Sequence, residues 1–203
     1  MTISNAVTLK NAKLDQEETT IGTSPLLRLY NGTIPATADT ALSGNTLLAV
    51  GTLPSDWMST ASAGSKTKLG TWTLTGQSGA GAGTAATFFR IYESTGTTAY
   101  KQGSVGVNTA ISTSALTAAN GNVLNFASTT GVAVGQAISG TGIPANATVL
   151  AFTGTTVTMS VASTAGVASA ASITFGYDMT LDNNNIANAQ SLTVNTFTIT
   201  AGN

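Results

Sequence analysis

From residue 26 onward, apolar and polar positions of this chain alternate with a period of two. "LLRLY" (26–30), "NTLLAVGT" (45–52), "KTKLGTWTLTG" (66–76), "ATFFRIYES" (86–94) and "TAYKQGSVG" (98–106) alternate or run apolar. Gly, Asn, Ser and Pro punctuate them, which predicts strands joined by turns. Ahead of Gly22 the spacing is different. Ile3, Val7, Leu14 and Ile21 fall near one face of a helical repeat. This predicts one helix over 4–21, with Ser4 as N-cap and Gly22 as its stop. Lys13 and Glu17 make an i,i+4 pair on it, while Glu17 and Glu18 lie at the end where the helix dipole disfavours acids.

Two strands change face partway. Leu69 has odd parity, but Trp72 and Leu74 have even parity, and Gly70 between them suits a β-bulge. In "SLTVNTFTIT" (191–200), Leu192 and Val194 give way to Phe197 and Ile199, with Asn195-Thr196 at the switch. Such bulges suit curved sheets. In "YDMTLDN" (177–183), Tyr177, Met179 and Leu181 are expected to face in, and Asp178, Thr180 and Asp182 out. Between these regions, "GNVLNF" (121–126), "VAVGQAIS" (132–139), "ATVLAFTG" (147–154), "TTVTMSV" (155–161) and "ASITF" (171–175) predict five short strands, the close spacing of a small sandwich or barrel. The expected fold is all-β: a jelly-roll-like β-sandwich with a short N-terminal helix and an inserted small β-sandwich or barrel. The expected division is 1–108 with 176–203 for the first, and 109–175 for the insert.

Charge separates the same regions. From Gln102 to Tyr177, 76 residues pass without a charged side chain, where an ordinary domain carries about a quarter charged residues. The whole chain has 7 basic and 8 acidic residues, a net charge of −1, so charge repulsion does little to keep copies apart. Gly, Ala, Ser and Thr fill the places usually held by Lys and Glu. With no Cys and no His, the usual zinc sites and the Ser-His-Asp and Cys-His nucleophile systems are excluded. The missing basic excess argues against nucleic acid. No apolar run nears the roughly 20 residues of a membrane span. The first residues lack the basic start and apolar core of a signal peptide, so the chain is expected to be made and assembled in a cytoplasm.

Candidate chemistry is sparse. "LLRLYNGT" (26–33) echoes "FFRIYEST" (88–95). Parity puts Arg28 with Tyr30 on one face, and Arg90 with Tyr92 likewise. They form either a patch for a partner or glycan, or the wet face of a half-buried sheet with Leu27, Leu29, Phe89 and Ile91 inside. Alternation alone favours the wet face. Asp178 and Asp182 share a face about 13 Å apart, too far for a catalytic pair. "DNNN" (182–185) reads as a turn. "GQSGAGAG" (76–83) lacks the Lys-Ser/Thr of a phosphate loop and reads as a flexible surface loop. Trp72 is expected in the core, and Trp57, in the loop context "PSDWMS", at a partner. No catalytic, cofactor-binding or metal-binding residue is assigned, and no enzyme activity is expected. The candidate partner contacts are Ile3, Val7, Leu14, Trp57, Arg28, Tyr30, Arg90 and Tyr92.

"IGTSPLLRLYNGTIPATADT", "FFRIYESTGTTAYKQGSVG" and "DMTLDNNNIANAQSLTVNTFTITAGN" together resemble a widespread group of small tailed-bacteriophage virion proteins. The shared marks are an N-terminal helix, an L-R-I/L-Y-x-G-T/S-x-P-A motif, a W/F-F-R-I/L segment, a G-x-V-G turn and a closing S-F-T-I-T-like strand. They cover most of 6–106 and 178–203. This chain departs from the pattern after Gly106: the uncharged region separates the G-x-V-G turn from the strand that follows it in the family. That region resembles modules of phage virion proteins and fibres, and an insertion at a turn leaves the flanking strands free to pair. The resemblance implies a capsid decoration, or cement, protein on the virion surface. Its partners would be the major capsid protein and its own copies, as a homotrimer, with no nucleic acid and no membrane. The alternatives are a neck, tail or fibre component, and a carbohydrate-binding module using Trp57, Tyr30 or Tyr92. A glycosidase built on carboxylates alone ranks last.

Overall fold

A computed structural model describes residues 4–201. The chain forms two compact units. Unit 1 takes the chain up to Gly106 and again from Met179; unit 2 spans Val107–Asp178. The sequence boundaries were 109 and 175.

Unit 1 opens with helix α1 (Val7–Ile21). Its strands are β1 (Leu26–Tyr30), β2 (Leu47–Thr52), β3 (Ser65–Thr67), β4 (Thr73–Gly76), β5 (Thr84–Ala85), β6 (Phe88–Tyr92) and β7 (Ala99–Gly106). Unit 2 holds β8 (Thr109–Ser112), β9 (Val123–Asn125), β10 (Ala137–Ser139), β11 (Val149–Phe152), β12 (Thr156–Met159) and β13 (Ser172–Gly176). The chain then returns to unit 1 with β14 (Met179–Leu181), β15 (Asn185–Ile186) and β16 (Ser191–Thr200). The protein is therefore all-β with a short N-terminal helix.

The helix begins later than its sequence suggests. Ala6 occupies the N-cap with no side-chain hydrogen bond, so Ser4 lies two residues outside. The stop is at Gly22, whose φ of 88° favours glycine and whose N–H closes on Glu18 O at 2.9 Å. The expected apolar face divides: Leu14 and Ile21 enter the core, while Val7 is 54% exposed.

The main sheet closes on itself. The order β14-β7-β6-β1-β2-β4-β16 returns to β14, a barrel-like ring of seven strands, with β3 paired to the far end of β16. All ring pairs are antiparallel except β7 with β14. Inward residues of the ring meet Leu14 and Ile21 in one core. Aromatic rings cross that core in a chain: Trp57 to Trp72 at 5.9 Å, Trp72 to Phe197 at 5.4 Å, and Phe197 to Phe89 at 5.5 Å.

The face switch in β16 is a bulge. Thr180 pairs with Thr196 and Leu181 with Val194, so Asn195 has no opposite residue. Thr196 N–H, displaced from the ladder, donates to Thr180 Oγ1 at 3.0 Å. Thr180 is consequently buried rather than facing out. The other expected bulge is a chain turn. Gly70, φ 70°, lies between β3 and β4, which pair with different halves of β16. Residues 76–83, expected as a flexible surface loop, are mostly exposed but include a short 3-10 turn, Ser78–Ala80, with Ala80 buried. A Cβ on Gly76 would meet Ala187 O at 2.0 Å, and one on Gly79 would meet Leu47 O at 2.6 Å.

Unit 2 consists of two three-stranded antiparallel sheets, β10-β13-β8 and β11-β12-β9. Their inward residues share one core, including Leu124, Ile138, Val149, Val157, Ile173 and an edge-to-face Phe126–Phe175 pair at 5.6 Å. The strand β8 carries small residues and was not read from sequence.

Candidate interaction surface

The outer face of β1, β6 and β7 is where the two Arg/Tyr echoes meet. Arg28 stands directly opposite Arg90, and Tyr30 opposite Phe88. This face is covered. Residues 31–46 form a strap across it, closed at its base where Asn31 Oδ1 accepts Thr46 N–H (2.9 Å) and Asn45 Nδ2 donates to the Asn31 and Thr33 carbonyls. Under the strap, Tyr30, Phe88 and Tyr92 build a second small core with Leu26, Leu47 and Ala99. Tyr30 and Phe88 stack at 5.2 Å, and the Tyr30 and Tyr92 hydroxyls meet at 3.0 Å. Burial, then the Tyr92 hydroxyl, holds the Tyr30 phenol well above its ordinary pKa.

Arg90 fastens the strap from below. It is 4% exposed. Its Nη2 donates to Thr40 O (2.7 Å) and Thr37 O (3.2 Å), and its Nε to Gln102 Oε1 (3.1 Å). Gln102 Nε2 in turn donates to Pro35 O at 2.6 Å. Tyr30, Arg90 and Tyr92 are therefore neither an open patch nor a wet face. The signal was in the sequence: an outward parity carrying Leu26, Tyr30, Phe88 and Tyr92 is too apolar to face water uncovered.

Trp57 is corrected as well. It is 0% exposed, packed on Trp72, and its Nε1–H donates to Gly22 O at 3.2 Å. Leu14 is fully buried. Ile3 lies outside the described residues. Of the expected contacts, Val7 is exposed and Arg28 half-buried over the Tyr92 ring, its Cζ 4.5 Å from the centroid.

The acids at the unfavourable end of α1 find cations on the barrel. Lys66, 3% exposed, binds Asp15 Oδ1 at 2.8 Å and Glu18 Oε2, and Glu18 Oε1 also accepts Met58 N–H. Lys101 takes Glu17 at 2.7 Å, where Lys13 had been expected. Beside that pair, Lys13, Gln16, Thr20, Ile21 and the exposed Tyr100 line an open groove of about 510 Å³. Asp182 accepts Thr193 N–H, and Asn183 accepts Asn185 N–H in an Asx turn. Among the described residues, no group of three or more Asp or Glu could hold a metal ion, and no helix is long and apolar enough to cross a membrane.

Glu93 organises the β6–β7 turn. Its carboxylate accepts Thr95 Oγ1–H (2.6 Å), Thr97 N–H (2.9 Å) and Thr98 N–H (2.8 Å). These bonds, the Thr95 hydroxyl first, lower its pKa to about 2. A depressed carboxylate stabilises the fold above its unfolded pKa, about 4.3, and loses that contribution as pH falls through the folded value. The Glu93 side-chain carboxyl carbon in a ¹³C NMR titration is expected to move near pH 2; a midpoint above pH 4 would show the turn to be open.

Apart from Asp178 at its end, unit 2 presents a surface without charged side chains. Outward rows read Val123–Thr158–Ala151 on one sheet and Ala110–Thr174–Ser139 on the other. Leu150, in the β11 bulge, and the loop residues Leu116 and Val134 are each more than 60% exposed. The outward positions that usually hold Lys and Glu carry Thr, Ser and Ala.

Compared with protein-family models, with curated proteins and with solved structures, the chain finds no match.

Proposed function

We propose that the protein is a bacteriophage capsid decoration protein, non-enzymatic, placed on the virion surface as a homotrimer against the major capsid protein. The observation that carries this reading is the surface of unit 2. A compact sandwich with outward rows of Thr, Ser, Ala and Val, in a chain of net charge −1, has little to keep dilute copies apart. On a symmetric shell, copy number and spacing are fixed by the lattice, and many modest contacts add by avidity. The jelly-roll-like topology belongs to the same proposal and rests on the family resemblance alone. The glycan-stacking alternative loses Trp57, Tyr30 and Tyr92, which are buried.

A cryo-EM map of the purified particle tests the reading. Density for this chain at three-fold or quasi-three-fold sites over the shell is the expected result. Density confined to neck, tail or fibre would sink it. Lys in place of Thr158 and Thr174 adds charge to both outward rows. Thermal stability is expected to stay within about 0.5 kcal/mol, as for most surface changes. Fewer copies are expected to remain on particles at low salt, with recovery as salt screens the new charges. Unchanged occupancy at all salt concentrations would remove unit 2 from the contact.

A further inference from the structure

Arg90 makes no ion pair within 4.0 Å among the described residues. A guanidinium stays ionised at any ordinary pH, and burying one without an anionic partner is unfavourable. Its assigned acceptors are all neutral: Gln102 Oε1, Thr37 O and Thr40 O. The ion pairs among the described residues belong to Lys66 and Lys101. Directly across the ladder stands a second cation, Arg28, and like charges in such positions repel. These hydrogen bonds occupy Nε and Nη2, leaving Nη1 with two N–H groups.

A pocket of about 320 Å³ opens on this guanidinium. Arg90, Tyr92, Thr97 and Thr98 form one wall, and the strap at 38–41 the other. We propose that this pocket binds a carboxylate group, one oxygen on Arg90 Nη1 and the other on the Thr97 or Thr98 hydroxyl. The size admits a carboxylate and a few carbons behind it. Asp39, exposed in the strap, is the acid of the pocket lining. Asp39 at the rim, and the Glu93 carboxylate that holds the Thr97 and Thr98 amides, both oppose an anion, so binding is expected to be weak and to tighten when Asp39 is neutralised. The site does not depend on the proposed decoration role.

The test is an NMR titration of the full-length, ¹⁵N-labelled chain with sodium acetate at constant ionic strength. Acetamide is the neutral control. Arg90 Nε–H and the Thr40, Thr97 and Thr98 amides are expected to shift saturably with acetate, with a Kd on the order of a few millimolar, and not with acetamide. Asp39→Asn, an exposed change that leaves the wall intact, is expected to tighten binding about threefold. Thr98→Val, which keeps Arg90 in place, is expected to weaken it by a similar factor. N-acetyl-glutamate α-amide and N-acetyl-alanine then separate a side-chain carboxylate from a chain terminus; tighter binding by either identifies the source. Non-saturating shifts, equal shifts with acetamide, or tighter binding of inorganic phosphate than of acetate would each overturn the proposal.

Discussion

Trp57→Ala is expected to lower the barrel's melting temperature by roughly 15 °C, the equivalent of about 4 kcal/mol for an indole lost from a packed core. Trp57 fills the space against Trp72, and its N–H ties the β2–β3 connection to Gly22 O at the end of α1. Removing it opens a cavity and orphans a carbonyl. Trp57→Phe keeps most of the ring volume and loses the hydrogen bond, so about 1–2 kcal/mol is expected. Calorimetry and near-ultraviolet circular dichroism read both. A residue that served only to touch a partner would give the opposite pattern, an unchanged melting temperature with weaker particle association.

Lys66→Ala is expected to cost about 2 kcal/mol, below the usual 3–5 for breaking a buried ion pair, because half-exposed Asp15 can rehydrate. The loss falls on the docking of α1. Hydrogen exchange of the helix amides is expected to quicken more than that of β1 and β6. Lys66→Met with Glu18→Gln removes both charges of one contact and is expected to recover part of the loss. The pH dependence has two edges. The Lys66 hydrogen bond, chiefly, holds the Asp15 carboxyl below its usual value, so its contribution is present above about pH 4 and is lost as pH falls through the lowered value. Burial pulls the Lys66 pKa down, but Asp15 and Glu18 outweigh it and raise it overall. That contribution is present below about pH 10 and is lost as pH rises through the raised value. Helix protection is expected to be flat between these edges in the native chain. Equal sensitivity to pH in Lys66→Ala would show that other groups control the docking.

Local signals were legible. β1 and β6 follow from short, largely apolar runs bounded by turn residues, the end of α1 from Gly22, and the bulge in β16 from the change of parity at Asn195. What depends on distant pairing was not. Parity places Tyr30 and Tyr92 on the outward face, but says nothing of a strap that then covers them. A loop setting suggested exposure for Trp57, yet burial depends on Trp72 and Gly22. The misplaced acids Glu17 and Glu18 were visible, but their cations are Lys101 and Lys66, and even Lys66 lies 48 residues beyond Glu18, outside any helical spacing. β8 escaped because "TAIS" has too little hydrophobic contrast to show a period.

The parallel pairing of β7 with β14 has a practical side. Gly106 is opposite Thr180, and Val105 opposite Met179, so the chain leaves unit 1 and comes back to it on neighbouring strands about 5 Å apart. Such a gate accepts any folded cassette whose own ends are close, because joining it closes little new loop. The barrel is thus a ready chassis for grafting. A reporter, an epitope or a binding module could replace residues 107–178 and be carried by the same closed ring.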